Sequence, residues 1–291
     1  MKILSLFDGI SCGRVALERA GIEVEKYYAS EIKEDAILVS KSNYPDIIQL
    51  GDVTKVNKDM VGEIDLLIGG SPCQSFSNAG KKEGFEGKSG LFYEYVRILK
   101  EVKPKFFLLE NVKMKKEWLD IITNTLKEIY PETQVYNINS SLVSAQLRNR
   151  FYWTNIPNIK QPEDKQILLK DILENGFTNR EKARAILESE SRPLVNKSNM
   201  LWRYIKTGFT TIIFDSEKTY LRVKEATKMK SKNEYYLFDG EDIRYFTQLE
   251  LERLQTLPEG YTKILNRNKS AGVIGDGWTV DVITHIFKNL K

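Results

Sequence analysis

The chain has 291 residues, 41% of them hydrophobic and 29% charged, with 44 Lys and Arg against 40 Asp and Glu. That length bears a sizeable buried core in one large domain or two modest ones, and a net charge of +4 says little about partners. No apolar run approaches the roughly 18 to 20 residues that cross a bilayer. The apolar start at residues 3–7, interrupted by Asp8, is too short for a signal peptide, so a cytoplasmic location is expected.

Two cysteines, Cys12 and Cys73, make no disulfide framework and fit no zinc spacing, so no metal is expected. One histidine, His285, lies six residues from the end in an apolar helical pattern. Chemistry that needs an imidazole near the core, such as a Ser-His-Asp or Cys-His pair, is thereby excluded. Residues 192–232 hold ten Lys and Arg against three Asp and Glu, a local excess that suits a polyanion as well as a solvated surface.

In chain order, residues 2–7 read as a strand and 12–20 as a helix stopped by Gly21. A second strand at 24–30 precedes a helix at about 33–43, with Pro45 just beyond it. Strands follow at 48–53 and 64–69. Residues 91–102 are helical, with Phe92, Tyr95, Val96 and Leu99 at three- and four-residue spacing. A buried strand at 106–110 and a helix at 118–129 complete an α/β alternation, which predicts a largely parallel sheet with helices on both faces. Beyond Pro157 periodicity weakens; only 210–214 and 235–238 look β-like. Regularity returns at 243, with a capped helix over 247–257 ended by Pro258 and Gly260, and another over 278–290. The expected division is 1–157 with 243–291 as one domain, and 158–242 as a smaller irregular one.

In such sheets ligands sit at the carboxyl ends of the strands, where Asp8, Glu31, Asp52, Cys73 and Glu110 all fall. Gly9 and Gly13 suit a strand–turn–helix in which backbone approaches a ligand and helix packs close to strand. Glu31 can accept from ribose hydroxyls and Asp52 from an adenine amino group, although each could instead cap a helix. Together they suggest an adenosine-type ligand. Gly69-Gly70-Ser71-Pro72-Cys73 holds a thiol on a loop rather than in a core. Glu110 ends the apolar run Phe106-Phe107-Leu108-Leu109, where desolvation favours an acid able to protonate a ring nitrogen. Gln146-Leu147-Arg148-Asn149-Arg150 sets two arginines on one face if extended, fit to hold a carbonyl oxygen or a phosphate.

These residues resemble the DNA cytosine-5 methyltransferase family. In the family's order stand Phe7-Asp8-Gly9, Glu31, Asp52, Pro72-Cys73-Gln74, Glu110-Asn111-Val112 and Gln146-x-Arg148-x-Arg150. Arg244-Tyr245-Phe246-Thr247, Glu252 through Pro258 and Gly275-Asp276-Gly277-Trp278 follow. Ser11 stands where many bacterial members have glycine, and Gly-Asp-Gly-Trp replaces their Gly-Asn-Ser; with Ser71, both look more like the mammalian de novo branch. The resemblance implies a Rossmann-like class I methyltransferase domain at 1–157 and 243–291, with a target-recognition domain at 158–242. It implies S-adenosyl-L-methionine as cofactor, held by Phe7, Asp8, Gly9, Glu31, Ile32, Asp52, Val53, Ser71, Pro72, Leu91, Asp276, Gly277 and Trp278. In the implied reaction Cys73 adds to C6 of a flipped-out cytosine in double-stranded DNA, Glu110 serves N3, and Arg150 with Arg148 holds O2.

Gln74, Ser75, Lys81 and Lys82 lie in a glycine- and lysine-rich stretch expected to close over the base. Arg203, Arg222 and Lys224, with Asn199, are candidates for DNA contact, and residues 218–232 for backbone positioning. No membrane partner is expected, and a cognate restriction endonuclease is a partner that the resemblance allows in a bacterial or phage setting. Three alternatives remain: a transfer-RNA cytosine-5 methyltransferase, a catalytically silent DNA-binding paralogue, and, at the level of fold, an NAD-dependent oxidoreductase. The last leaves Cys73, Glu110 and Arg150 without a role.

Overall fold

Lys2–Leu6 forms strand β1, buried along its length after Lys2, as a parallel strand covered on both faces must be. The structure, a computed structural model, describes residues 1–72, 90–187, 197–208, 210–225 and 243–290, without the side chains of 198, 199 and 207. After β1 come α1 (Cys12–Arg19), β2 (Lys26–Ser30), α2 (Glu34–Asn43), β3 (Ile48–Gln49), α3 (Lys58–Val61) and β4 (Leu66–Gly69). Then follow α4 (Leu91–Val102), β5 (Phe106–Val112), α5 (Lys116–Lys127), β6 (Gln134–Asn139), β7 (Gln146–Leu147) and β8 (Asn149–Thr154).

Seven strands make one sheet in the order β3-β2-β1-β4-β5-β8-β6. The first five pair in parallel, while β8 runs antiparallel to both β5 and β6. The order reverses between β1 and β4, so the strand ends there diverge into the crevice that open α/β sheets use for ligands. The core on one side gathers Leu4, Leu67, Phe107 and Leu109 of the strands with Phe92, Tyr95, Ile98 and Leu99 of α4 and Trp153 of β8. The apolar spacing read for α4 is thus its buried face.

The expected strand at 48–53 is shorter. Gly51 takes φ +74, and Asp52 caps a 3-10 turn at Val53–Lys55 through Thr54 N–H at 2.9 Å, so the ladder stops at Gln49. Conversely, β6 and β8 arise where no strand was expected, filling the sheet edge beside β5 with the buried Tyr152 and Trp153.

By contacts the chain forms two units: Met1–Asn139, Asn149–Glu163 and Gly277–Lys291 in the first, Ser140–Arg148 and Asp164–Asp276 in the second. The segment 243–276, which the sequence pattern attaches to the catalytic part, therefore packs with the irregular one. In the second unit β7 pairs with β9 (Ala183–Arg184), and β10 (Ile213–Phe214) with β11 (Ile243–Arg244). Its helices are α6 (Lys197–Trp202), continued by a π-helical turn at Arg203–Thr207, then α7 (Glu217–Glu225), α8 (Gln248–Leu254) and α9 (Arg267–Asp276).

The reason is visible in the side chains. Thr247 and Glu250 form the capping box of α8, and the fully buried Glu250 is clamped by both terminal nitrogens of Arg244, at 2.8 and 2.9 Å. Glu252 accepts from Gly260 N–H, Thr262 N–H and the Thr262 hydroxyl, at 2.6 to 2.7 Å. Gln146 donates to Leu254 O and accepts from Ile186 N–H. These motif residues tie the second unit to itself. The last helix of the first unit is α10 (Val280–Phe287), in which Nε2 of His285 lies 2.8 Å from the Lys160 carbonyl oxygen.

No helix among the described residues is long and apolar enough to cross a membrane, and none of their His, Cys, Asp and Glu side chains cluster in threes or more as metal ligands.

Candidate active site at the strand ends

β1 runs into a turn whose backbone alternates into the left-handed region: Phe7 at φ 56, Gly9 at φ 60 and Ser11 at φ 60. Such strain in non-glycine residues persists where the surroundings hold it. Ser11 is held by its hydroxyl, which bonds Asp8 Oδ2 at 2.5 Å and the Ser40 hydroxyl at 2.6 Å. A glycine would adopt that φ freely, so the serine substitutes side-chain hydrogen bonds for conformational freedom. Tyr27 donates to the other oxygen of Asp8 at 2.7 Å. Burial raises the Asp8 carboxyl to about 6, partly opposed by hydrogen bonds from Ser11, Ser5 and Tyr27, with Glu31 adding repulsion. Gly13 lets α1 lie against β4: a Cβ there would stand 2.4 Å from Ile68 Cδ1.

Glu31, at the end of β2, accepts from the N–H groups of Gly9 at 2.8 Å, Ile32 at 2.8 Å and Lys33 at 2.9 Å. The carboxylate is thereby fixed beside the β1 turn with acceptor capacity left over. Ile32 is 72% exposed, an apolar face next to that carboxylate. Asp52 is held below the usual carboxylate range by the Thr54 backbone N–H, so it does cap a turn, and Val53 behind it is buried. Leu91 opens α4, half-buried against the core.

The second half of the site gathers around Glu110. Strand alternation sends Glu110 and Asn111 to opposite faces. Asn111 donates to the carbonyl and hydroxyl of Ser71, at 3.3 and 3.2 Å, fixing the turn that follows β4. Arg150 lies opposite Val112 in the β5–β8 register, two positions from Tyr152, which faces Glu110. It is therefore the diagonal neighbour on Glu110's face, and its Nε meets Glu110 Oε1 at 2.9 Å. The indole Nε1 of Trp278 donates to Oε2 at 3.2 Å. Gly70 leaves room for both: a Cβ there would stand 2.9 Å from Glu110 Oε2 and 3.0 Å from Trp278 Nε1. Ser71 is buried and Pro72 half-buried at the last described positions before Cys73.

The two arginines of Gln146-x-Arg148-x-Arg150 fall in different units, Arg148 in the second and Arg150 in the first. Arg148 is buried in the second unit, donating to the carbonyls of Ile186 at 3.2 Å and Gly275 at 3.1 Å. Arg148 stands alone between β7 and β8, which pair with different strands. Asp276 is exposed at the end of α9 and Gly277 is buried. Cys73, Gln74, Ser75, Lys81 and Lys82 lie outside the described residues, as does the side chain of Asn199. Arg203 is exposed on the π-helical turn, and Arg222 and Lys224 are exposed on α7. Trp278 was expected near a cofactor; its bond to Glu110 is not signalled by spacing, because the two residues are 168 positions apart.

The model of the C-5 cytosine-specific DNA methylase family matches residues 1–291. Type II methyltransferase M1.ScrFI of Lactococcus lactis subsp. cremoris is 29% identical over 99% of this chain and 77% of its own length. Orphan methyltransferase M.SPRI of Bacillus phage SPR is 38% identical over 60% of this chain. This chain spans less than half the length of the phage protein, 43%. Among solved structures, a mutant of Spodoptera frugiperda DNMT2 superposes with a TM-score of 0.70 at 18% identity, covering 99% of each chain, a likeness of fold. With a family model matched from end to end over a mostly parallel seven-stranded sheet, the chain belongs to the C-5 cytosine-specific DNA methylase family.

Proposed function

We propose that the chain methylates carbon 5 of cytosine in double-stranded DNA, using S-adenosylmethionine. The observation that carries this reading is the Glu110 carboxylate, held by Arg150 and Trp278 two residues before the end of β5 and bordered by the Gly70 turn that leads into Cys73. The whole-chain family match supports it.

The strand-end residues fit the methyl donor. Glu31 and Asp52 offer carboxylate acceptors for a ribose and an adenine amino group, and exposed Ile32 offers an apolar face. Gly9 has no heavy atom within 4 Å of where a Cβ would be, so a ligand can approach the backbone there. When bound, S-adenosylmethionine supplies an electrophilic sulfonium methyl group to C5.

Cytosine C5 is too weak a nucleophile by itself, and the protein's part is to change that. The Cys73 thiolate adds to C6, forming an S–C bond and leaving enamine-like electron density at C5. Glu110, in its protonated form, donates to N3 and takes that proton back when Cys73 leaves, while Arg150 holds O2, drawing charge away from C6 as the bond forms. Arg148, committed to two carbonyls of the second unit, has a structural role. After methylation the C5 proton passes to water, the S–C6 bond breaks, and Cys73 leaves as thiolate. A stacked base cannot reach such a site, so the cytosine is flipped out of the duplex. If the chain works as a type II enzyme, a cognate restriction endonuclease shares its target.

The test is transfer of a labelled methyl group from S-adenosylmethionine to duplex DNA and, in parallel, to transfer RNA, with 5-methylcytosine identified by mass spectrometry. Label in duplex DNA is expected. Label in transfer RNA alone, or at a position other than C5, overturns the proposal.

A further inference from the structure

Arg180 and Arg184 of the second unit converge on one backbone atom. Arg180 donates from a terminal nitrogen to Gly208 O at 3.1 Å, and Arg184 from Nε to the same oxygen at 3.2 Å. Gly208 ends the π-helical turn in the left-handed region, at φ 64. π-Turns are rare and concentrate at functional sites.

Arg180 is half-buried, 5.0 Å above the Tyr204 ring, with a further bond to the Thr211 hydroxyl at 3.3 Å. Neither arginine has a carboxylate within ion-pair distance among the described residues. Two like charges are therefore held together, one of them partly desolvated. Burial and, to a lesser degree, the nearby Arg184 disfavour the charged form of Arg180, partly offset by Tyr204. A neutral carbonyl offsets little of that repulsion, whereas an anion does so directly.

Beside them opens a cavity of about 250 Å³ lined by Asn179, Arg180, Tyr204, Tyr220 and Lys224 among others, without an Asp or Glu. Lys224 belongs to α7, inside the basic stretch at 192–232. A second positive side chain thus lines the same cavity as Arg180, which suits an anion.

We propose that Arg180 and Arg184 hold a backbone phosphate of the nucleic acid substrate, with Lys224 lining the same cavity as Arg180. The inference rests on the substrate class given above and assigns the positioning contact to two arginines outside the basic stretch. Phosphate contacts of this kind set register on the duplex without reading its sequence.

The experiment uses the full chain with Arg180→Lys, Arg184→Gln and the double change Arg180→Gln/Arg184→Gln, and with Lys263→Gln as a charge control on an exposed lysine of the same unit. Duplex DNA affinity is measured across a salt series, with S-adenosylmethionine binding by calorimetry. Each lost phosphate contact lowers the slope of log K against log salt by about 1. The double variant is expected to bind about 10- to 100-fold more weakly at moderate salt with a shallower slope. Arg184→Gln is expected to show part of that loss. Arg180→Lys, which retains charge but loses the planar fork, is expected to weaken binding while keeping most of the slope. Cofactor affinity and the Lys263→Gln protein should be unchanged.

Wild-type affinity and slope in both Arg184→Gln and the double variant overturn the inference, as does an equal effect from Lys263→Gln. Absence of methyl transfer to duplex DNA by the wild-type chain overturns the substrate reading instead. In that case the same variants are read on the nucleic acid that the wild type does bind.

Discussion

Trp278 donates its indole N–H to Glu110 Oε2 at 3.2 Å, while Arg150 occupies Oε1 at 2.9 Å. Both carboxylate oxygens are thus oriented by donor-only groups. The indole cannot accept a proton, so it steers the carboxylate without exchanging protons with it. Trp278→Phe keeps the ring and removes the donor. A hydrogen bond to a charged group contributes about 1.5–3 kcal/mol, so single-turnover methyl transfer should fall by about 10- to 100-fold. Far-UV circular dichroism should be preserved. A rate within twofold of wild type would show that Trp278 does not position Glu110.

Gly69 and Gly70 separate packing from chemistry. A Cβ on Gly69 would meet the Leu6 carbonyl at 2.9 Å and the Tyr95 ring at 3.1 Å, whereas one on Gly70 would meet the ends of the Glu110 and Trp278 side chains. Backbone and a buried ring yield little, so Gly69→Ala should lose about 1–3 kcal/mol in urea unfolding, the range typical of overpacking. Gly70→Ala should lose less stability yet lower the single-turnover rate at least tenfold, because the carboxylate must turn aside. Equal stability losses with an unaltered Gly70→Ala rate would contradict this division.

Cys73→Ala should abolish methyl transfer while leaving duplex affinity within a few-fold of wild type. A gel-shift series beside a labelled-methyl assay separates the two effects. Residual turnover above background would remove the thiolate from the reaction.

Glu110→Gln keeps size and shape but leaves the Arg150 guanidinium without its counter-charge. With side chains 14% and 11% exposed, that uncompensated group should cost about 1–3 kcal/mol of stability, alongside a much slower methyl transfer. An unchanged single-turnover rate would take Glu110 out of its assigned role.

Asp8 makes stability depend on pH. Its carboxyl is raised to about 6 by burial, from 3.8 in an unfolded chain. The native state therefore holds the proton more tightly. The group's contribution is most favourable below pH 3.8, declines as pH rises through about 6, and levels off above. The shift corresponds to an upper bound of about 3 kcal/mol, and since Asp8 keeps some contact with solvent, about 1–2 kcal/mol is expected. Urea unfolding of wild type and Asp8→Asn from about pH 4 to about pH 7 should show the difference moving by that amount in the variant's favour as pH rises. A difference that stays constant with pH would refute the assignment.

The α/β alternation, the strand-end positions of Asp8 and Glu31, and the capped helix at α8 were legible in the chain itself, because each depends on periodicity or on neighbours three or four residues away. So was the family, through motifs that keep their order. What could not be read were relationships set by strand register and long-range closure. Glu110 meets Arg150 because β8 runs antiparallel beside β5, and it meets Trp278 because the segment before α10 returns to it 168 residues later. Arg148, two positions from Arg150, turns to the carbonyls of Ile186 and Gly275, where alternation alone would have paired the two. Arg180 and Arg184 drew no notice in the composition, since what distinguishes them is a carbonyl that each reaches 24 or 28 residues away. Local order follows from backbone geometry and hydrophobic spacing. The company a charged side chain keeps follows from which strands and turns come to lie beside it, and only the folded chain decides that.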